Sequence, residues 1–278
     1  MFDVAQAWFN YKLEQDFYEG PKPTAAGTLQ RCSDAGVCER QRAFNSINAE
    51  PTEARSSETL IAFEIGNAIH ESLQQMFLAR DDVKTTIEVP VDLSEITNVS
   101  LSGHCDALIV DCNGNRIVVE IKTMSGYGAA KTFGAEPKIE HVAQAGLYAL
   151  GLDADAICIV YVAKESDRGW KVRPGQIEQW YYELDEEVFP ELSVRDIAWQ
   201  EIDRFSRVQF NLNNNDLPLP LVKVDDEDLL QRVDFPGPFG KPSKNHHWEC
   251  RYCVYNSACA DLGPEIVPLE KVKVREIE

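Results

Sequence analysis

The 278 residues contain no apolar run approaching the length needed to cross a bilayer. They also lack an internal repeat, a low-complexity tract and any helicase motif. The opening MFDVAQAWFNYKLEQDF mixes aromatic and acidic residues, with neither a basic start nor a continuous apolar stretch, and does not read as a signal peptide. No membrane partner is expected, and a cytoplasmic location is. Basic charge is scarce: 27 Lys and Arg stand against 46 Asp and Glu, a net of −19. That deficit argues against a nucleic-acid binder, because phosphate contacts usually require a basic surface.

The deficit is uneven. Residues 176–239 hold fifteen Asp and Glu against five Lys and Arg, whereas residues 121–175 hold seven basic groups against six acids. Residues 240–259 hold three basic groups and one acid, with His246 and His247 among them. A local track for DNA therefore survives on an acidic protein. The acidic stretch is left as a helical insertion, a surface for a protein partner, or a mimic of DNA charge that restrains non-specific binding.

Periodicity sets the expected organisation. Residues 1–20 read as a short amphipathic helix, followed by a Pro/Gly loop from Gly20 to Gly27. From Ser57 to Arg80, with Ser56 or Ser57 as cap, Ile61, Ile65, Ile69, Leu73 and Met76 form a helical stripe. Ile87, Val89, Val91 and Leu93 alternate as in a half-buried strand. Leu101 to Asp111 and Arg116 to Met124 flank Cys112-Asn113-Gly114 and predict a hairpin.

Glycines 126, 128 and 134 suggest a mobile loop, in which Tyr127, Lys131 and Phe133 are candidates to stack on bases and meet phosphates. Residues 138–151 read as helix, and the apolar run Ala156 to Ala163 as a strand covered on both faces. A strand over Trp170 to Leu184, a helix over 185–211 capped by Asp185, and a linker at 217–221 complete the expectation. The domains this implies are 1–56, a core at 57–184, an acidic helical insertion at 185–240, a cysteine segment at 241–263 and a charged tail at 264–278. The fold class is α/β, with a mixed sheet flanked by helices.

The hairpin carries the chemistry. Asp106, Glu120 and Lys122 are polar residues inside otherwise apolar strands, where unpaired charge is costly. Glu120 and Lys122, two apart, point to one face. A three-residue turn pairs residue 111 with 115 and sets Asp106 opposite Glu120. The group is either a structural ion pair or a site for Mg²⁺ or Mn²⁺, which take hard oxygen ligands. His70 lies on the preceding helix, where the small pair Gly66-Asn67 allows close approach. Gln144 and Tyr148 lie four apart on the following helix, with His141 on the same face.

The ordered set His70, Asp106, Glu120-Ile121-Lys122 and Gln144-x₃-Tyr148 resembles the motifs of RecB-like PD-(D/E)xK nucleases, and so implies a restriction-endonuclease-like core. The resemblance implies that His70, Asp106, Glu120 and the Ile121 carbonyl hold a metal. It implies that Lys122 orients the attacking water and that Gln144 and Tyr148 steady the site. The activity implied is metal-dependent hydrolysis of DNA, as an exonuclease on single-stranded ends.

The eight cysteines divide similarly. Cys105, Cys112 and Cys158 sit in apolar stretches and read as core filler. Cys250-x₂-Cys253-x₅-Cys259 needs a fourth ligand, for which Cys38 and Cys32 are the candidates, and spacing alone leaves zinc and an iron–sulfur cluster both open. A distant cysteine followed by CxxC-x₅-C is similar to the cluster-bearing branch of RecB-like nucleases. That branch includes the AddB helicase–nuclease subunit and CRISPR-associated exonucleases, with relatives in phages. The resemblance implies a [4Fe–4S] cluster of mainly structural role. The run Cys38-Glu39-Arg40 before Phe44 favours Cys38, although Glu39 stands where the family often has proline. Two other readings stand beside the nuclease: a non-catalytic DNA-binding scaffold, and a zinc-stapled protein-interaction module.

Overall fold

The computed structural model describes residues 10–11, 30–53, 55, 57–169, 171–220, 222–224, 230–232, 250, 253–263 and 265–275. Most of the expected N-terminal helix, the loop at 20–27, Ser56, Trp170, His246, His247 and most of residues 221–249 lie outside them.

A short strand β1 (Gln30–Arg31) and a 3-10 turn (Cys32–Asp34) lead into α1 (Glu39–Ser46) and the long α2 (Ser57–Leu78). Strand β2 (Lys84–Asp92), the one-turn helix α3 (Ser94–Thr97), β3 (Leu101–Val110) and β4 (Arg116–Met124) follow. Then come α4 (Gly126–Thr132), α5 (Ile139–Gly151), β5 (Ala156–Ala163) and β6 (Ile177–Glu183). The small pair β7 (Glu187–Phe189) and β8 (Leu192–Ser193) precedes α6 (Val194–Asn213). Last are β9 (Asp216–Leu217), the pair β10 (Val222–Val224) and β11 (Leu230–Arg232), α7 (Asn256–Leu262) and β12 (Val267–Pro268).

The central sheet is mixed. β3 runs antiparallel to β2 and β4, β4 and β5 are parallel, and β6 closes one edge antiparallel to β5. The parallel step from β4 to β5 is made by α5, as a crossover connection requires. Ala107, Val119, Ile121, Val160 and Val162 are buried on one face against Ile69, Leu73 and Phe77 of α2. The other face carries the main core with α5 and α6. Residues Val142 to Ala149 of α5 are all buried, as expected for a helix sandwiched between sheet and helix. Among the described residues no helix is long and apolar enough to cross a membrane.

Several expectations fail for identifiable reasons. Only part of the stripe Ile61–Met76 faces the sheet: Ile61, Ile65 and Met76 are exposed, and Ile69 and Leu73 pack inward. The stripe Gly66, His70 and Gln74 also meets the strands; a Cβ on Gly66 would lie 3.1 Å from Thr123 Oγ1. The glycine loop is largely the helix α4, capped by the Ser125 hydroxyl accepting from the Gly128 N–H. Gly126 is there for contact, since a Cβ would lie 2.2 Å from the Ser166 carbonyl carbon. Phe133 packs on the core, which leaves Tyr127 exposed with Lys131 over its ring at 4.4 Å.

The strand expected over 170–184 starts only at Ile177. The helix expected from residue 185 starts at Val194, with Ser193 and Asp196 forming a capping box. Asp185 pairs with Arg195 and caps nothing. Val194, Ile197, Ile202 and Phe205 enter the main core, so α6 is a layer of it and not an appendage. Leu217, placed in a linker, is wholly buried in β9 and pairs with Val267 of the segment expected to be a charged tail. Val274 bridges back to Ala49. Cys112 is exposed in the turn, whereas Cys105 is buried and Cys158 half-buried.

Candidate active site

The site forms where β3 and β4 part. Their register runs from Val110↔Arg116 to Ala107↔Val119 and ends there, so Asp106 and Glu120 are the first residues past the paired stretch. The turn has the expected three-residue form: the Asp111 N–H donates to the Asn115 carbonyl at 3.0 Å, and Gly114 takes φ +89°. Beyond the fork, β1 takes the place of β4 beside Leu101 and Ser102. Asp106 spans the opening. Its Oδ2 accepts the Ile121 N–H at 2.6 Å, and its Oδ1 lies 3.2 Å from His70 Nδ1 on α2.

Glu120, Lys122, Gln144 and Tyr148 form one chain of contacts. Lys122 Nζ is 2.9 Å from Glu120 Oε1 and donates to Gln144 Oε1 at 2.7 Å. The Gln144 amide donates to the Tyr148 hydroxyl at 3.1 Å. Both α5 residues are buried, and their four-residue spacing brings them under the sheet together. The structure thus brings His70, Asp106, Glu120, Ile121, Lys122, Gln144 and Tyr148 into one region. The Ile121 contact it gives runs through the N–H.

Glu120 is buried and its Oε2 has no hydrogen-bond partner among the described residues. Burial and the negative charge of Asp106 outweigh Lys122 and His70, and its carboxyl is pushed up to about 7. Burial works against a charged His70, but the hydrogen bond and charge of Asp106 and the charge of Glu120 win and raise it. Burial, then the charges of Glu120 and Cys32, hold the Tyr148 hydroxyl well above its ordinary range. His141 turns to the Tyr161 hydroxyl at 2.7 Å; burial and the charges of Lys122 and Lys138 push it down to about 2, so it is a neutral imidazole. Among the described residues no three His, Cys, Asp or Glu side chains converge as ligands of a single ion; Lys122 and His70 engage the two carboxylates instead.

Two residues escape sequence reasoning. Gln74, one helical turn beyond His70, donates to the Asp106 carbonyl at 3.0 Å and to Glu88 Oε1 at 2.5 Å. A helix position four after a site histidine was the available signal.

At the other end of the core, Cys38 and the other C-terminal cysteines lie within electrostatic reach of Cys253, but among the described residues they do not converge as ligands of one ion. Burial pushes the Cys253 thiol up to about 12, and the charges of Cys38, Cys259 and Cys250 add to it. Arg40 is wholly buried and ties this region together. Its Nε donates to the Pro218 carbonyl at 2.8 Å, Nη1 to the Gly263 carbonyl at 2.5 Å and to Cys259 Sγ at 3.7 Å, and Nη2 to the Glu265 carbonyl. Cys32, the other N-terminal candidate, is wholly buried in the main core below Gly103.

The mixed sheet flanked by helices is consistent with the fold of a nuclease superfamily. A family model described as the PD-(D/E)XK nuclease superfamily matches residues 39–260, and the chain belongs to that superfamily. No curated protein matches. Among solved structures, SSO0001 shares the fold at 18% identity and a TM-score of 0.50, covering 93% of this chain and 96% of that one. An alkaline exonuclease, LHK-Exo from Laribacter hongkongensis, matches at 13% identity and a TM-score of 0.40, covering 75% of this chain and 95% of that one. Its complex with dAMP matches at 13% identity and the same TM-score, covering 68% and 93%.

Proposed function

We propose that the protein is a metal-dependent deoxyribonuclease, an exonuclease on single-stranded ends, using Mg²⁺ or Mn²⁺. The observation that carries the reading is Glu120 Oε2, a buried carboxylate oxygen without a partner among the described residues, beside Asp106 in an otherwise bonded network. An orphaned buried acceptor is expensive unless a ligand completes it. Oxygen donors from Asp106, Glu120 and the Ile121 carbonyl, with the His70 imidazole, suit Mn²⁺ or Mg²⁺. When bound, such an ion lowers the pKa of water and polarises a phosphoryl oxygen. Lys122 then stands to orient the nucleophile and to offset charge developing on the phosphate. Gln144 holds the lysine ammonium, and Tyr148 holds Gln144.

The test is cleavage of end-labelled single-stranded DNA with Mn²⁺ or Mg²⁺, beside Glu120→Ala and Lys122→Ala. Cleavage by the wild type that both substitutions abolish supports the reading. Folded protein that cuts neither single- nor double-stranded DNA with either metal favours a DNA-binding scaffold.

Cys38, Cys250, Cys253 and Cys259 are in this reading the ligands of a [4Fe–4S] cluster that joins the two ends of the chain, as in the cluster-bearing branch. Supporting it are the charges of Cys38, Cys259 and Cys250 felt at Cys253 and the Arg40 N–H directed at Cys259 Sγ. Iron and sulfide analysis of anaerobically purified protein tests it; stoichiometric zinc without sulfide would replace the cluster with a zinc staple.

A further inference from the structure

Strands β2 and β3 keep one register from Lys84↔Val110 to Asp92↔Ser102, with a single unpaired position at which Glu88 faces Asp106. Glu88 lies at φ +48°. A left-handed non-glycine residue costs roughly 1–3 kcal/mol and persists only where its surroundings demand it. What it does here is visible on either side. Ile87 and Ala107 join the apolar cluster beneath α2. Val89 and Cys105, two positions on, join the main core on the opposite face. In a regular ladder residues two apart share a face. The inner face of the β2–β3 ribbon therefore changes over at the Glu88–Asp106 position.

Asp106 sits at that changeover, and its carboxylate reaches His70 on α2 and the Ile121 N–H on β4. Gln74 fastens the point from above: one amide nitrogen serves both the Asp106 carbonyl and the Glu88 carboxylate. The amide nitrogen has two N–H groups, so both acceptors can be met at once.

We propose that Glu88 and Gln74 are positioning residues for the Asp106–His70 pair. The backbone of Glu88 turns the ribbon over, and its carboxylate orients the Gln74 amide that holds the Asp106 main chain. The proposal extends the reading of Asp106 and His70 as metal ligands and rests on it. Groups that support ligands in this way typically change metal affinity by about 10- to 100-fold when removed.

The experiment uses the full chain with Glu88→Gly, which deletes the carboxylate while easing the left-handed backbone, and Gln74→Met, which keeps volume but loses the amide. Three quantities are read: Mn²⁺ affinity by calorimetry, hydrogen exchange of the Ile121 amide in metal-free protein, and the thermal midpoint. Both variants are expected to bind Mn²⁺ about 10- to 100-fold more weakly and to exchange the Ile121 amide faster. Glu88→Gly should keep or raise the thermal midpoint. Unchanged Mn²⁺ affinity and Ile121 exchange, whatever the thermal midpoint does, overturn the proposal. Wild type that binds no Mn²⁺, with Ile121 exchange still accelerated in both variants, sinks the metal reading and upholds the positioning of Asp106.

Discussion

Lys122 Nζ lies 2.7 Å from Gln144 Oε1 and 2.9 Å from Glu120 Oε1, so a helix amide and a strand carboxylate share one ammonium. The lysine is half-buried, and in the proposed nuclease its reach toward a phosphate would be set by how firmly that amide holds it. Gln144→Leu keeps the volume and removes the acceptor. We expect kcat to fall about 10- to 100-fold with KM little changed, the pattern of a contact that matters in the transition state. Tyr148→Phe, which removes only the support for Gln144, should cost a few-fold. Single-turnover cleavage reads both, and a Gln144→Leu enzyme with wild-type kcat would sink the argument.

Glu120 makes the stability of the metal-free protein depend on pH. Its folded carboxyl is pushed up to about 7 from an ordinary 4.5, first by burial and then by Asp106. Below 4.5 both folded and unfolded states hold the proton and nothing is lost. Between 4.5 and about 7 the unfolded chain releases it while the fold retains it. Stability therefore falls across that window, by on the order of 3 kcal/mol, and stays lower above it. Glu120→Gln should match the wild type at pH 4.5 and be more stable at pH 8 without metal. Saturating Mn²⁺ should reverse the order at pH 8. Thermal melts across pH, with and without Mn²⁺, decide it; parallel curves for the two proteins would be the contrary result.

The legible part of the site is the part written in local periodicity. Glu120 and Lys122 share a face because strands repeat every two residues, and the three-residue turn fixed the register whose last pair, Ala107↔Val119, brings Asp106 and Glu120 to the fork. Gln144 and Tyr148 share a face for the analogous helical reason. What stayed hidden depends on distant partners. Gln74 looks like an ordinary surface residue until the sheet lies against α2, and nothing in a glutamate announces φ +48° at Glu88. The apolar stripe of α2 misled because the inward face is small and polar where it must meet Thr123, Asp106 and Glu88. The β9–β12 pairing joins residues fifty apart, beyond any local signal.

Gly126 and Gly128 both sit in α4, yet they should respond oppositely to alanine. A Cβ at Gly126 would fall 2.2 Å from the main chain of Ser166, and backbone cannot move aside like a flexible side chain. At Gly128 it would meet Met124 Cε and Ser125 Oγ at 3.4 Å, ordinary contact. Gly126→Ala should therefore cost roughly 1–3 kcal/mol through overpacking. Gly128→Ala should gain up to about 1 kcal/mol from helix propensity. Denaturant unfolding of the pair settles the matter, and equal effects would mean that α4 does not pack on the 165–167 segment in solution.

Arg40 holds the C-terminal segment whether or not the cysteines carry a cluster. It donates to the carbonyls of Pro218, Gly263 and Glu265, which belong to two stretches of chain that meet only after folding. Arg40→Leu would leave those acceptors short of a donor in the interior, at about 1–3 kcal/mol for each one that water cannot reach. The loss should be local: β12 and the Val274 bridge should open before the main core, since they pack on a smaller, separate apolar cluster. Limited proteolysis should then cut near residues 264–275 in the variant and spare the wild type, while the far-ultraviolet spectrum stays close to wild type. Arg40→Lys, a single ammonium in place of a planar fork, can serve fewer of the acceptors and should fall between the two. A variant as protease-resistant as the wild type would show that the segment is held by β9 and the apolar contacts of Val267 and Leu269, with Arg40 a passenger.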